Sequence, residues 1–118
     1  MSFVGFSMSL WAARFACASG AASVFLGAYG AHGMLDKFSP KDIGIWQTGV
    51  QYQFLHTLAL LYASKVSATA SVLFAIGIVI FSGSLYGIVL TGKRQLGAVT
   101  PIGGIALAAG WATLARDI

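Results

Sequence analysis

Charged positions divide the chain into four long uncharged segments, at residues 15–35, 43–64, 66–92 and 95–115. A helix needs about 20 mostly apolar residues to cross a bilayer, and these runs lack the polar alternation of a transmembrane strand. The pattern therefore predicts an all-α fold, an integral membrane bundle of four transmembrane helices in a single domain. The expected spans are residues 11–31, 44–64, 69–91 and 98–115.

Small residues recur along the predicted helices at intervals of three or four. In the first span this spacing keeps one stripe of small side chains on a single helix face. Between helices in lipid, such stripes let the backbones approach closely and gain dispersion contacts. The expected helix-packing positions are Ala13, Ala16, Gly20, Ser23, Gly27, Gly30, Gly83, Gly87, Gly104 and Ala108.

Two helix starts are marked by capping signals. Ser39 has the position of an N-cap, Pro40 that of a first helical residue and Asp42 that of a first-turn acid, each favoured there. Thr100 and Pro101 repeat the same order before the fourth span. The second helix is therefore expected to begin near Pro40, with a short interfacial segment before it enters the bilayer.

Polar residues are concentrated in the second span. If that helix enters the membrane near Trp46, His56 lies roughly 15 Å deep at 1.5 Å per residue. An unpaired polar group at that depth costs several kcal/mol, so His56 is expected to face a partner inside the bundle. Its candidate partners are side chains of span three or a backbone carbonyl of span one. The candidate intramembrane polar cluster comprises Gly49, Tyr52, Gln53, His56, Ser82, Ser84 and Tyr86.

Two interpretations of this cluster stay open. In the first, a neutral His56 and the nearby glutamines hold the helices in register through interhelical hydrogen bonds. In the second, they form a proton relay or ligand site. No intramembrane Asp or Glu accompanies His56, which favours the structural role.

Composition and charge exclude several classes. The chain is 58% hydrophobic and only 8% charged, whereas soluble domains carry roughly a quarter charged residues. Its net charge of +4 is scattered at the span ends, so nucleic-acid binding, which needs a concentrated basic surface, is not expected. The cations are shared almost equally between the two sides and do not orient the protein.

The N-terminal segment contains a small-x-small motif at Ala16 and Ala18 that resembles a signal cleavage site. Cleavage there would destroy the first span, so a retained helix is expected. The segment also has serine and arginine but no acidic residue, a composition compatible with mitochondrial import.

The usual catalytic and cofactor motifs are missing from the sequence. His32 and His56 fall at different expected depths, which disfavours a shared haem, and the chain has no HxxxH or CxxC metal-binding pattern. The glycines of "GAYGAHG" do not have the spacing of a dinucleotide-binding loop. No catalytic residue, metal or cofactor is predicted, and Cys17 is expected to serve in packing.

Four ordered segments, "GAYGAHG", "WQTGVQYQFLHTLALL", "FSGSLYGIVLTG" and "TPIGG", resemble a family of small membrane proteins, domain of unknown function 423, which includes transmembrane protein 256. The resemblance covers residues 20–111. It implies a compact four-helix membrane protein, with mitochondrial association in eukaryotic members, and brings no established activity. Its motif positions here are Gly30, His32, Gly33, Gly49, Tyr52, His56, Ser82, Gly83, Ser84, Tyr86, Gly92, Pro101 and Gly103.

These observations favour a non-enzymatic structural or accessory subunit. The expected partners are membrane lipids and other membrane subunits, and a homo-oligomer is also compatible with the stripes. The family resemblance points to the mitochondrial inner membrane and a respiratory-chain or related energy-transducing complex, with the bacterial cytoplasmic membrane as the alternative. The competing hypothesis is a small transporter or proton-conducting module built around His56.

Overall fold

The computed structural model describes residues 3–118, with side chains from Leu10 onward, and every regular element in this part is helical. The predicted all-α class is therefore confirmed. Four long helices are joined by short links, so consecutive helices run antiparallel. Their bounds are α1, Phe3–Ala28; α2, Pro40–Ala63; α3, Ala68–Thr91; and α4, Thr100–Asp117. A π-helical turn, Tyr29–Gly33, extends α1, and a 3₁₀ turn, Arg94–Ala98, precedes α4.

The bundle is layered in chain order, with α2 and α3 at its centre. α3 packs against both α2 and α4, whereas α1 lies mainly along α2. One core cluster runs through all four helices, and a smaller one lies at the end of the bundle that holds the α1–α2 link. The fully buried side chains include Leu60 and Phe74 in the first cluster and Met34 in the second.

The small-residue stripe of α1 faces α2. A Cβ added at Gly20 would meet Thr57 at 3.6 Å, and one added at Gly27 would meet Val50 at 3.5 Å. Both distances are ordinary van der Waals contacts, so the helices lie close together here but leave room for an alanine at either position. Of the other predicted stripe residues, Ala16, Ser23 and Gly30 are buried and Ala13 is half-buried.

Glycines also set the approach of α4 to α3. A Cβ at Gly103 would lie 2.4 Å from the backbone nitrogen of Phe81. One at Gly77 would lie 2.5 Å from the Leu107 side chain, and one at Gly110 would lie 2.8 Å from the Phe74 ring. Backbone and ring therefore occupy the space that any larger residue would need.

The remaining predicted packing positions divide into two groups. Gly87 and Gly104 lie within contact distance of Leu96 and Phe81 respectively. Gly83 and Ala108 are exposed, and a Cβ at Gly83 would meet nothing within 4 Å. α4 turns a different face to α3 from the one that its sequence suggested, because Gly103, Leu107 and Gly110 form the contact ridge.

The capping signals differ in their outcome. The Ser39 hydroxyl accepts a hydrogen bond from the Asp42 backbone N–H at 3.1 Å, which confirms it as the N-cap of α2. The predicted cap at Thr100 is wrong, because Thr100 is the first residue of α4 and its hydroxyl contacts Ser84 at 2.5 Å. The 3₁₀ turn before it supplies a helical approach in place of a capped start. α3 ends at Thr91 and is capped by Gly92, whose φ of 73° is the left-handed conformation that glycine tolerates.

Three segments in the described part are long and apolar enough to cross a membrane, at Leu10–Gly33, Ala68–Thr91 and Arg94–Asp117. The last includes the 3₁₀ turn, which lengthens the fourth apolar segment. α2 is not among them, because its three glutamines and its histidine lower its mean hydropathy. Whether α2 also spans therefore depends on where those polar groups lie.

Candidate functional site

Gln53 lies at the centre of a buried polar network that joins three helices. Its amide Nε2 donates to the backbone oxygen of Ser19 in α1 at 3.1 Å and contacts the Ser19 hydroxyl at 3.2 Å. Its Oε1 accepts a 2.6 Å hydrogen bond from the Tyr86 hydroxyl of α3. A single side chain of α2 thus connects its neighbours on both sides.

Shorter polar side chains extend the network on each side of Gln53. The hydroxyls of Ser19 and Thr57 lie 2.7 Å apart, and the Ser23 hydroxyl donates to the Ser19 backbone oxygen at 2.8 Å. On the α3 side, the Ser82 hydroxyl donates to the backbone oxygen of Gly49 at 2.6 Å. These bonds fix the register of α1 and α3 against α2.

Gly49 is required where the Tyr86 ring crosses α2. A Cβ at this position would lie 2.8 Å from Tyr86 Cε1, so only glycine lets the phenol pass and reach Gln53. Next to it, the Trp46 indole N–H donates to the Leu26 backbone oxygen at 2.8 Å, and the Trp46 and Tyr86 rings lie 4.7 Å apart. Trp46, expected in the headgroup region, is therefore buried between helices.

The π-helical turn of α1 is shaped by the same indole. A Cβ at Gly30 would lie 2.8 Å from the Trp46 ring, and Tyr29 meets that ring edge-on at 5.6 Å. The Met34 backbone N–H bonds to the Tyr29 oxygen at 3.0 Å and closes the wide turn. Gly30 is thus tightly packed against α2, whereas the other residues of "GAYGAHG" are exposed or half-buried.

His56 does not join the network. Its Nδ1 lies 2.8 Å from the backbone oxygen of Tyr52, one turn earlier in its own helix. A carbonyl oxygen only accepts, so Nδ1 carries the proton and, in the neutral ring, Nε2 is an acceptor. The ring is 6% exposed and sits among the aromatic side chains Tyr52, Phe74 and Trp111, with ring centroids 5.7 to 6.0 Å away.

The partners predicted for His56 are therefore wrong. Ser82 and Tyr86 bond to α2 at other positions, and Ser84 bonds to the Phe81 backbone oxygen and to Thr100. The predicted cluster divides into an inward group on the Gln53 side, a separate pair, Tyr52 and His56, on the side facing α4, and Ser84, which bonds to Thr100 of α4. The structure adds Ser19, Thr57 and Trp111, which the sequence did not single out.

Two grooves follow the outer side of α2. A small one, of about 300 Å³, is lined by Gln51, Tyr52, Leu55, His56 and Trp111. A larger and almost entirely apolar one, of about 570 Å³, runs between α1 and α2 and is lined by Ser23, Val24, Gly27, Ala28, Val50, Gln51, Phe54, Leu55 and Leu58. Gln51 and Leu55 belong to both.

His32 lies exposed on the π-helical turn of α1. The part of the chain with described side chains contains no group of three His, Cys, Asp or Glu residues that could hold a metal ion. Two polar contacts between helices lie at the ends of the bundle. Arg94 pairs with Asp42 at 2.9 Å, and at the opposite end of the bundle the Ser67 hydroxyl donates to Asp117 at 2.5 Å.

A helical bundle with three membrane-length apolar segments and a polar network sealed between its helices defines a small integral membrane protein. The chain belongs to the family described as "Protein of unknown function (DUF423)", whose model matches residues 26–104. The predicted family is thus confirmed. No solved structure is detectably similar to this chain.

Bacterial relatives share much of the sequence. The chain is 46% identical to the "UPF0382 membrane protein SH2409" of Staphylococcus haemolyticus over 78% of its length and 81% of the relative's. It is 45% identical to the "UPF0382 membrane protein YwdK" of Bacillus subtilis, covering 75% and 80% of the two chains. It is 42% identical to the "UPF0382 inner membrane protein YgdD" of Escherichia coli, covering 85% and 82%.

These relatives bear on the expected location. All three are bacterial and are named as membrane or inner membrane proteins. They argue against the mitochondrial assignment suggested by the N-terminal composition and the eukaryotic members. Their names give no support to a role in a respiratory-chain complex.

Proposed function

We propose that the protein is a non-enzymatic structural component of a bacterial cytoplasmic membrane, where it contacts lipids and packs against other membrane proteins. The observation that carries this proposal is the use of its inward polar groups. Among the residues with described side chains, no fully buried polar side-chain atom lacks a hydrogen-bond partner. Interhelical bonds of this kind are worth about 0.6–2 kcal/mol each in membranes, and they hold a bundle together.

The same network supports α2 as a fourth span. Gln53 and Thr57 bond within the protein, so they do not meet hydrocarbon. The outward positions of the same helix include Phe54, Leu58 and Leu61, which are exposed and suit lipid. A helix of moderate hydropathy can cross the bilayer when its neighbours accept its polar face.

A proton-conducting role is less well supported by the geometry. A relay needs polar groups in hydrogen-bond succession from one side of the membrane to the other. His56 bonds to its own helix at Tyr52, while the network bonds of Gln53 run to Ser19 and Tyr86. The two groups use different faces of α2 and share no described hydrogen bond.

An exposed glycine on the outer surface of α3 supports the association of this protein with other membrane helices. Gly83 is exposed, with no atom within 4 Å of an added Cβ. A small residue at the bundle surface lets a helix of another protein, or of a second copy, approach closely. A lipid-facing position needs no glycine.

The test is the size of the particle that carries the protein after mild detergent extraction. We expect the wild-type chain to migrate on a native gel in a complex larger than the isolated protein. Gly83→Leu is expected to shift the chain toward the isolated size, because the added side chain blocks close approach. The control Ala22→Leu places the same bulk on an exposed position of α1 and leaves migration unchanged. A wild-type protein that migrates alone would refute the proposal.

A further inference from the structure

The small groove between α2 and α4 presents an acceptor that the protein does not use. Nδ1 of His56 is bonded to Tyr52, and no hydrogen bond to Nε2 occurs among the described side chains. No fully buried polar atom is left without a partner in that part of the chain. Nε2 is therefore not fully buried, and His56 lines the groove.

Two more polar groups line the groove. Tyr52 is 41% exposed and Gln51 is exposed, and neither side chain makes a hydrogen bond in the described part of the structure. Gln51 and Tyr52 lie mid-helix, 11 and 12 residues after Pro40, the first residue of α2. At that depth, unpaired polar groups against hydrocarbon are unfavourable, so a polar partner in the groove would be bound in preference to lipid tails.

The walls of the groove select the shape of that partner. Tyr52 stacks nearly parallel to His56, with 17° between the rings, and Trp111 meets His56 edge-on at 67°. Aromatic side chains pack favourably with a further aromatic ring, either stacked on a face or against an edge. The uncharged runs 43–64 and 95–115 place no cation beside the groove, which disfavours a phosphate or carboxylate.

The neighbouring apolar groove supplies room for a tail. It shares Gln51 and Leu55 with the His56 groove and continues along α2 past Val50 and Phe54. Its polar lining is nearly absent, in contrast to the His56 groove. A molecule with a polar ring at one end and a hydrocarbon chain at the other would fill both.

We propose that this surface binds a lipid-soluble amphiphile whose head is a hydroxylated aromatic ring, a phenol or hydroquinone. The ring lies between Tyr52 and Trp111, and its hydroxyl donates to His56 Nε2. The tail follows the groove between α1 and α2. The proposal concerns binding alone and is independent of association with other membrane proteins.

The test compares two probes with the same ring and tail on purified protein in phosphatidylcholine nanodiscs. One is 2-decylhydroquinone and the other is its dimethyl ether, which keeps the ring and tail but has no hydroxyl to donate. Calorimetric titration is expected to show about tenfold tighter binding of the hydroquinone, the effect of leaving one sheltered acceptor unpaired. Methylhydroquinone, which lacks the tail, is expected to bind more weakly than the decyl compound.

Variants assign the preference to His56. His56→Phe keeps a ring in place but removes the acceptor, and is expected to bind both decyl probes equally. His56→Gln, which offers a carbonyl oxygen, keeps a preference for the hydroquinone. Phe25→Leu, at a 76% exposed position on α1, serves as the control and binds like the wild type.

Equal binding of the two decyl probes by the wild-type protein would overturn the proposal without any variant, and so would the absence of binding. A preference that survives in His56→Phe would also overturn it. Circular dichroism and gel filtration of each variant show whether the bundle is intact. If His56→Phe does not fold, the comparison of probes on wild type and on His56→Gln decides the question.

Discussion

The contact between α3 and α4 offers a paired test of how closely this bundle is packed. Gly103 and Gly104 are neighbours near the start of α4, and both lie against Phe81. A Cβ added at Gly103 would stand 2.4 Å from the Phe81 nitrogen and 2.8 Å from its Cα. One added at Gly104 would stand 3.7 Å from the Phe81 ring, an ordinary contact. Alanine at either position therefore adds the same methyl group, at a crowded site at Gly103 and at a site with room for it at Gly104.

The expected magnitudes follow from two terms. Replacing glycine by alanine inside a helix is favourable by about 0.5–1 kcal/mol, because glycine loses more backbone entropy on folding. This gain applies to both variants. At Gly103 the new methyl group also meets backbone, which cannot rotate away, so the helices must separate. Overpacking costs about 1–3 kcal/mol, and more where backbone must shift. We expect Gly104→Ala to stabilise the bundle by about 0.5–1 kcal/mol and Gly103→Ala to destabilise it by about 2 kcal/mol.

Unfolding by SDS in mixed micelles, followed by far-ultraviolet circular dichroism, measures the free energy of unfolding for both variants. The difference between them, about 3 kcal/mol, is the decisive quantity, because helix propensity cancels in it. A difference smaller than about 0.5 kcal/mol, within the usual error of additivity, would show that Phe81 does not approach Gly103 as closely as described.

Two further substitutions test the polar contacts. Tyr86→Phe removes the hydroxyl that donates to Gln53 Oε1. We expect the free energy of unfolding to fall by about 1–3 kcal/mol, because a sheltered acceptor is left unpaired. An unchanged free energy of unfolding in the same SDS assay would contradict this. Ser67→Ala removes both the N-cap of α3 and the bond to Asp117. The expected loss is about 1–2 kcal/mol, while Thr69→Ala, an exposed change in the first turn of α3, is expected to alter thermal unfolding little; similar melting of the two variants would refute a capping role.

Much of the helical framework was predictable because its causes are local. Long uncharged runs are favourable only in hydrocarbon or a sealed core, and they mark α1, α3 and α4 directly. The cap at Ser39 was also correct, since its bond to Asp42 spans only three residues. Thr100 was not a cap because the 3₁₀ turn before it extends the helical path, and that turn packs Leu96 against Gly87 of α3. Contacts of this kind depend on tertiary structure.

The candidate site was predictable only in part, for the same reason. Helical spacing predicted that Gly49, Tyr52, Gln53 and His56 share one face. The structure keeps Gly49 and Gln53 together against Tyr86, but Tyr52 and His56 lie on the side facing α4. Helical spacing could not fix how α2 rotates against its neighbours. This rotation decides that Gln53 contacts Tyr86 while His56 contacts Trp111. In the sequence, Trp111 could be noticed only as a tryptophan in the last helix. Helical spacing relates residues within one helix and could not connect it to His56, more than 50 positions away.

The low hydropathy of α2 is compatible with a membrane bundle because α2 lies between α1 and α3, which accept its polar side chains. Gln53 bonds to both α1 and α3, so its amide group makes its hydrogen bonds inside the protein and does not contact lipid. A hydropathy scale treats each residue as if hydrocarbon surrounded it and therefore counts this side chain as unfavourable. In the bundle, the same side chain forms interhelical hydrogen bonds that stabilise the fold. By the same reasoning, the unpaired polar groups of α2 that line the groove, on Gln51, Tyr52 and His56, need an explanation outside the chain. Packing accounts for the inward face of the helix, and the proposed ligand would account for the polar groups of the groove.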